Sequence, residues 1–304
     1  MFFILTGVTE IYAQADISMS THWYNRASYN PASIVRPDYM YFFLNARKQW
    51  AGLNGSPNVL NLQASDYSER LRSGFGVSII NDEVGLTHVV NPSLLYAFCV
   101  PLKEHLFISM GLSAGAFIRT LNGARFEAET ILDPFLGYVN TTQAKPDANL
   151  GFEMQGKYFI MGASLTHLFS ISRPDELFMF SNHRYGYVYY RNSDSPVFSL
   201  TLGCQVVNRN SLTVLEGHSM IRFKSPTGLR SGSRELFDAG VTYRSSGQMT
   251  MLFGINFSSD LRVGYAYDYD FNFTKEKKSS MEFFVEYRIP FVDRSSCPGS
   301  DWYF

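Results

Sequence analysis

The sequence predicts an all-β fold, a transmembrane antiparallel β-barrel of about 14 strands in an outer membrane. Three observations predict it. Apolar and polar residues alternate with period two over stretches about ten residues long. Nowhere do 18 apolar residues run together, so no membrane-crossing helix is expected. Aromatics reach 16%, with Tyr 19 and Phe 26, while charged residues are only 17% of 304, below the usual quarter. A barrel reconciles these features, because alternating strands average to a bland hydropathy.

The alternation is clearest toward the C-terminus. Leu261, Val263, Tyr265, Tyr267, Tyr269 and Phe271 share one face; Arg262, Gly264, Ala266, Asp268 and Asp270 share the other. Met281, Phe283, Val285, Tyr287, Ile289 and Phe291 oppose Glu282, Phe284, Glu286 and Arg288. Met251, Phe253 and Ile255 oppose Thr250, Gly254 and Asn256. Leu106, Ile108, Met110, Leu112, Ala114 and Ala116 oppose Ser109, Gly111, Ser113 and Gly115. A tilted strand needs roughly 9–11 residues to cross a bilayer, against about 5–6 in a globular sheet. The second face mixes Arg, Asp, Glu, Gly and Ser, which a polar lumen accepts and a sandwich core does not. Tyr and Phe near strand ends suit the aromatic girdles of such barrels.

Fourteen strands follow: 39–46, 57–66, 71–80, 91–100, 105–118, 147–156, 157–166, 184–191, 197–207, 211–223, 235–244, 249–257, 261–270 and 280–291. Bacterial single-chain barrels have even strand numbers, which supports retaining 184–191. Connections after strands one, three, five and seven read long, and those after two, four and six short, as outer loops and periplasmic turns do. The longest, 119–146, is expected outside.

The flanks read differently. Residues 1–15 form a short apolar stretch closing on Ala13-Gln14-Ala15, a signal-peptide cleavage pattern that lacks a charged n-region. Residues 16–38, mixed and polar with Pro31 and Pro37, are expected at the periplasmic side of the barrel spanning 39–291. A tail covers 292–304.

Chemical motifs are sparse. The formal net charge of -1 gives no basic face for nucleic acid. Cys99, Cys204 and Cys297 stand at no metal or redox spacing. Gly111-Leu112-Ser113-Ala114-Gly115 fits G-x-S-x-G, but the elbow needs strand, turn and helix, and this motif lies mid-strand. Asp268, Asp270 and Asn272 imitate a calcium loop whose sixth and twelfth positions are Phe273 and Ser279, so the pattern fails. The histidines, His22, His88, His105, His167, His183 and His218, form no ligand pair and are expected in loops or at rims. No catalytic, cofactor-binding or metal-binding residue is predicted, and no cofactor.

One loop suits partner binding. In Gln49-Trp50-Ala51-Gly52-Leu53-Asn54-Gly55-Ser56-Pro57, Trp50 is a large anchor of the hot-spot type, and Gly52 and Gly55 permit turn dihedrals. The candidate residues are Gln49, Trp50, Gly52, Leu53, Asn54 and Gly55. A structural outer turn with a packed Trp is the competing reading. Asn81 and Asp82, in a second expected loop reaching Gly85, are a weaker candidate.

Several segments resemble the PorP/SprF family of type IX secretion proteins of Bacteroidota. They are Tyr24 to Ala32 with its Asn30-Pro31-Ala32; Arg47 to Pro57, close to Q-W-x-G-x-x-G-x-P; Ser78 to Gly85; Gly111 to Phe117; Pro146 to Gly151; and Arg262 to Tyr269. Together they cover about residues 20–290. The tyrosine-rich 170–200 region departs from the pattern. The resemblance implies a non-enzymatic outer-membrane barrel that assists export or surface anchoring of a secreted adhesin through that adhesin's C-terminal domain, in a gliding context for some members. It implies as partners that domain, other secretion components including a peptidoglycan-linked periplasmic lipoprotein, and outer-membrane lipid. The alternative is a passive porin-like channel.

Overall fold

The computed structural model of the chain describes residues 19–37, 39–103, 105–122, 140–169, 182–209, 212–226, 233–271 and 279–290. Three short 3-10 turns, Thr21–Trp23, Arg26–Ser28 and Pro31–Ile34, precede fourteen strands. The strands are β1 Tyr39–Lys48, β2 Asn58–Ser68, β3 Ser73–Val84, β4 Thr87–Lys103, β5 Leu106–Leu121, β6 Thr141–Gly156 and β7 Phe159–Thr166. They continue with β8 His183–Asn192, β9 Phe198–Arg209, β10 Leu212–Pro226, β11 Ser233–Arg244, β12 Gln248–Asn256, β13 Leu261–Asp270 and β14 Ser280–Pro290. Every neighbour pair is antiparallel, and β1 pairs with β14 from Tyr39↔Pro290 to Lys48↔Met281, closing the barrel. Closure leaves no backbone edge to face lipid, where an unsatisfied amide costs several kcal/mol.

The period-two pattern decides which side chain faces where. On β13, Arg262, Gly264, Ala266 and Asp268 are inward and buried. On β14, Glu282, Phe284 and Glu286 are inward. Outward positions carry exposed Leu62, Val77, Leu94, Met110, Leu112, Phe253 and Phe283. This inversion, charge inside and apolar outside, is that of a membrane barrel.

The expected strands all form, with shifted bounds. The largest change is at the hairpin of β3 and β4, expected to leave 81–90 as a connection. Both strands run on until only Gly85 and Leu86 separate them, so the connection after β3 is short, and Asn81 and Asp82 are strand residues. Likewise β5 reaches Leu121 and β6 begins at Thr141. Residues 81–83 and 141–146 are mostly polar, and strands that project past the lipid belt lose the apolar half of their alternation. At the end where β1 starts and β14 stops, the connections are short turns such as 157–158. The opposite end carries 49–57, 122–140 and 167–182. Long outer loops and short periplasmic turns make that opposite end the outer one. The leader and tail, 1–15 and 292–304, lie outside the described residues.

Residues 19–36 run through the lumen instead of resting at the mouth, where the sequence placed them. Ser20 and Thr21 stand beside Glu282 near the outer end, while Ile34 lies against Gly74 near the end where β1 begins. The segment's polarity reads as solvent exposure, but here polar side chains meet a polar wall. Trp23, Tyr24 and Tyr29 join Tyr41, Phe43, Tyr187, Tyr189 and Phe284 in one buried cluster. Ala27, Ile34 and Val35 join Tyr67, Leu95, Ala97, Cys99 and Phe107 in another.

Candidate functional site

The lumen is organised around carboxylates from separate strands. Glu282 accepts from the backbone amides of Ser20 (2.7 Å) and Thr21 (3.0 Å) and pairs with Arg47 at 2.9 Å. Arg47 also reaches Asp268 at 2.7 Å, and Asp268 accepts from the Ser20 and Thr250 hydroxyls. This cluster explains the calcium-like spacing: the Asp268 carboxylate is committed to an arginine and two hydroxyls. Glu216 bridges Arg244 (2.9 Å) and His22 (3.1 Å). The Tyr24 hydroxyl donates to Asp238, which lies beside Arg262. Glu153 pairs with Arg26 at 2.9 Å and accepts from the Tyr187 hydroxyl. Each of these buried carboxylates thus has a basic partner, as low-dielectric surroundings require.

Glycines shape the seat of this segment. Gly111 and Gly151 face each other in the β5–β6 register. A Cβ at Gly111 would stand 2.2 Å from the Ala32 nitrogen, and one at Gly151 would stand 1.9 Å from Asn30 Oδ1. The two form a notch that receives Asn30-Pro31-Ala32. Asn30 fixes the turn there: its Oδ1 accepts from the Ala32 amide at 3.0 Å, and its Nδ2 donates to the Tyr187 hydroxyl at 2.7 Å. Gly203 makes similar room for Trp23, whose ring stacks on His218 with centroids 4.1 Å apart. The G-x-S-x-G motif therefore opens with a packing notch. Ser113 accepts from Asn149 Nδ2 at 2.6 Å. Three histidines expected in loops or at rims, His22, His183 and His218, are buried in the lumen.

Beside the segment lies a cavity of about 100 Å3, bounded by Tyr29, Asn91, Asp147, His167, Gln205 and Arg209. Asp147 accepts from Asn91 at 2.8 Å and pairs with His167 at 3.0 Å. Among the described residues no group of His, Cys, Asp and Glu is arranged to hold a metal ion.

The outer rim carries the other candidate residues. The Gln49 amide donates to the Pro57 carbonyl at 2.9 Å and closes the 49–57 loop. The Leu53 amide donates to Trp50 O, and that of Ser56 to Leu53 O. The loop is tied on one side by the Ala51 amide to Ser279 O (2.9 Å) and the Trp50 amide to Ser280 Oγ (3.2 Å). On the other side the Gly85 amide donates to Gly55 O at 2.9 Å. Gly52 (φ 100°), Gly55 (φ 72°) and Gly85 (φ 58°) occupy dihedrals that suit glycine, and Trp50 takes φ 50°. Gly52, Asn54 and Gly55 are exposed; Trp50 and Leu53 are half-buried.

The structure brings the two candidate segments together through Gly55 and Gly85, yet Asn81 and Asp82 are not part of that contact. They sit down the strand, opposite Leu60 and Val59. Asn81 shares the lipid-facing side of β3 with Val77 and Ile79 and contacts His88, whereas Asp82 faces inward. Sequence reasoning missed the role of Asn30, Gly111 and Gly151; the Asn-Pro-Ala string and the lumen-facing glycines were visible signals.

Fold and site together define an outer-membrane β-barrel whose lumen is occupied by its own N-terminal segment. The family model for the type IX secretion system membrane protein PorP/SprF matches residues 11–287, and the chain belongs to that family. A comparison with curated proteins finds no match. Among solved structures the chain is similar to the CymD monoaromatic hydrocarbon channel (TM-score 0.54, 14% identity, covering 88% of this chain and 92% of that one). It is also similar to the Ralstonia pickettii toluene transporter TbuX (0.54, 12%, 86% and 92%) and the P. putida toluene transporter TodX (0.51, 10%, 88% and 94%). At these identities the likeness is one of fold.

Proposed function

We propose that this barrel is the outer-membrane partner through which a type IX secreted adhesin is exported or held at the surface, with the 49–57 rim as a contact platform for the adhesin's C-terminal domain. Family membership supports the secretion setting. The observation that carries the contact is the backbone lacing of 49–57 to both β14 and the β3–β4 hairpin. A loop fixed before binding loses little conformational entropy on binding, and Trp50 and Leu53 supply the apolar area that anchors such contacts. The role is non-enzymatic. A context in gliding motility and a tie to a peptidoglycan-linked lipoprotein belong to the same reading.

The test is a deletion strain whose surface proteins are released and quantified. Loss of one large surface protein, restored by the wild-type gene and not by a 49–57 loop replacement that still assembles in the outer membrane, is the expected result. An unchanged surface complement in the deletion strain would sink the reading. A permanently open passive channel is not favoured, because residues 19–36 occupy the lumen.

A further inference from the structure

We infer a second activity, independent of the secretion role: the barrel is a gated aqueous conduit for small hydrated ions, and residues 19–36 are its gate.

Three observations point to a gate separable from the wall. First, among the described residues, every backbone–backbone hydrogen bond that this segment makes is internal to it, from Tyr24 to Thr21 O through Ser33 to Asn30 O. The fourteen-strand ladder closes without them, so withdrawal breaks no wall hydrogen bond. Second, most of the hydrogen-bonded and ionic anchors end on wall side chains that water can solvate, chiefly Glu153, Glu216, Asp238, Asp268 and Glu282, and one ends on a wall carbonyl, from Asn30 Nδ2 to Phe152 O at 3.0 Å. Third, the closed interface is imperfectly satisfied. Trp23 Nε1 in the segment, and Asn61 Oδ1, Gln63 Nε2 and Ser65 Oγ on the wall, are buried with no hydrogen-bond partner among the described residues. Such atoms favour hydration over closure. The adjoining cavity of about 100 Å3 has room for roughly 3 waters, at about 30 Å3 each, and supplies a nucleus for wetting. Once the gate leaves, the charged groups of Arg47, Glu153, Glu216, Asp238, Asp268 and Glu282 line the lumen, between aromatic patches such as Phe43 and Phe284. The segment joins β1 at the periplasmic end, so that end is the hinge and the outer half of the gate is the part that withdraws.

Gly111 and Gly151 provide the test. In Gly111→Leu the side chain occupies the Ala32 position and wedges the gate out. For a staple, Asn30 Cγ lies 3.0 Å from a Cβ built at Gly151; one further bond puts the two Cβ atoms within about 4.5 Å, in disulfide range. Asn30→Cys/Gly151→Cys therefore locks the gate when oxidised.

The measurement is single-channel conductance of the purified protein in planar bilayers with KCl. Wild type should rest closed, with brief openings at high voltage that reach the conductance of the wedge variant. Gly111→Leu should raise the open fraction at least about tenfold. The oxidised staple should abolish openings, and a reductant should restore them. Should Gly111→Leu fail to assemble, Ala32→Trp wedges from the gate side and leaves every strand unaltered. Wild type that never reaches the wedge level, wedge variants that stay closed, or openings that persist in the oxidised staple would each overturn the gate.

Discussion

Arg26 Nε sits 2.9 Å from Glu153 Oε2, both side chains nearly fully buried, and this pair fastens the N-terminal segment to β6. Removing one partner leaves an uncompensated charge in the lumen. Arg26→Ala should destabilise the plugged state by about 3–5 kcal/mol, with Arg26→Ala/Glu153→Gln recovering part of the loss. Urea unfolding of the refolded protein in lipid, followed by tyrosine and tryptophan fluorescence, reads both.

The glycine notch makes a sharper comparison. Gly111→Ala forces a methyl against the Ala32 amide, whereas a Cβ at Gly217 meets nothing within 4 Å. The first should cost about 1–3 kcal/mol as overpacking, and Gly217→Ala should be near neutral. The heat needed to convert the folded gel band to the unfolded one separates the two.

The lipid face has its own test. Leu94, 67% exposed, lies near the middle of β4. Leu94→Lys should cost about 2–4 kcal/mol if that position is at the bilayer midplane, while Gln63→Lys on the lumen face escapes the lipid penalty. Folding yields into vesicles across a urea series measure the difference.

At the rim, Gly55 adopts φ 72° with a Cβ position 3.3 Å from Gly85 Cα. Gly55→Ala should cost about 1–2 kcal/mol of left-handed strain. Since that corresponds to a factor of roughly 5–30 in an opening equilibrium, the Gly85 amide should exchange its hydrogen faster by about that ratio.

Much of this architecture was legible because lipid on one side and polar groups on the other enforce a strict two-residue period. Leu261 to Asp270 and Met281 to Ile289 show it without interruption. The outer parts of β3 and β6 were not legible, because Asn81-Asp82-Glu83 and Thr141 to Pro146 are mostly polar and interrupt the apolar alternation. The N-terminal segment was misplaced for a related reason: Ser20, Thr21 and Arg26 look alike whether they face bulk water or a buried carboxylate. Gly111 and Gly151 registered as small lumen residues, but what they make room for depends on a segment about 80 to 120 positions away in the chain. Trp50, Gly52 and Gly55 were legible as a turn, while the Gly55–Gly85 tie was not, since Gly85 was assigned to a separate loop.

The most direct test of the plugged lumen is trypsin digestion of the wild-type protein reconstituted in lipid, with cleavage sites mapped by mass spectrometry. Arg26 is buried against the wall and followed by Ala27, so the Arg26–Ala27 bond should survive in wild type and be cut in Gly111→Leu. Cleavage after Arg26 in wild type, with the barrel still intact, would contradict the account.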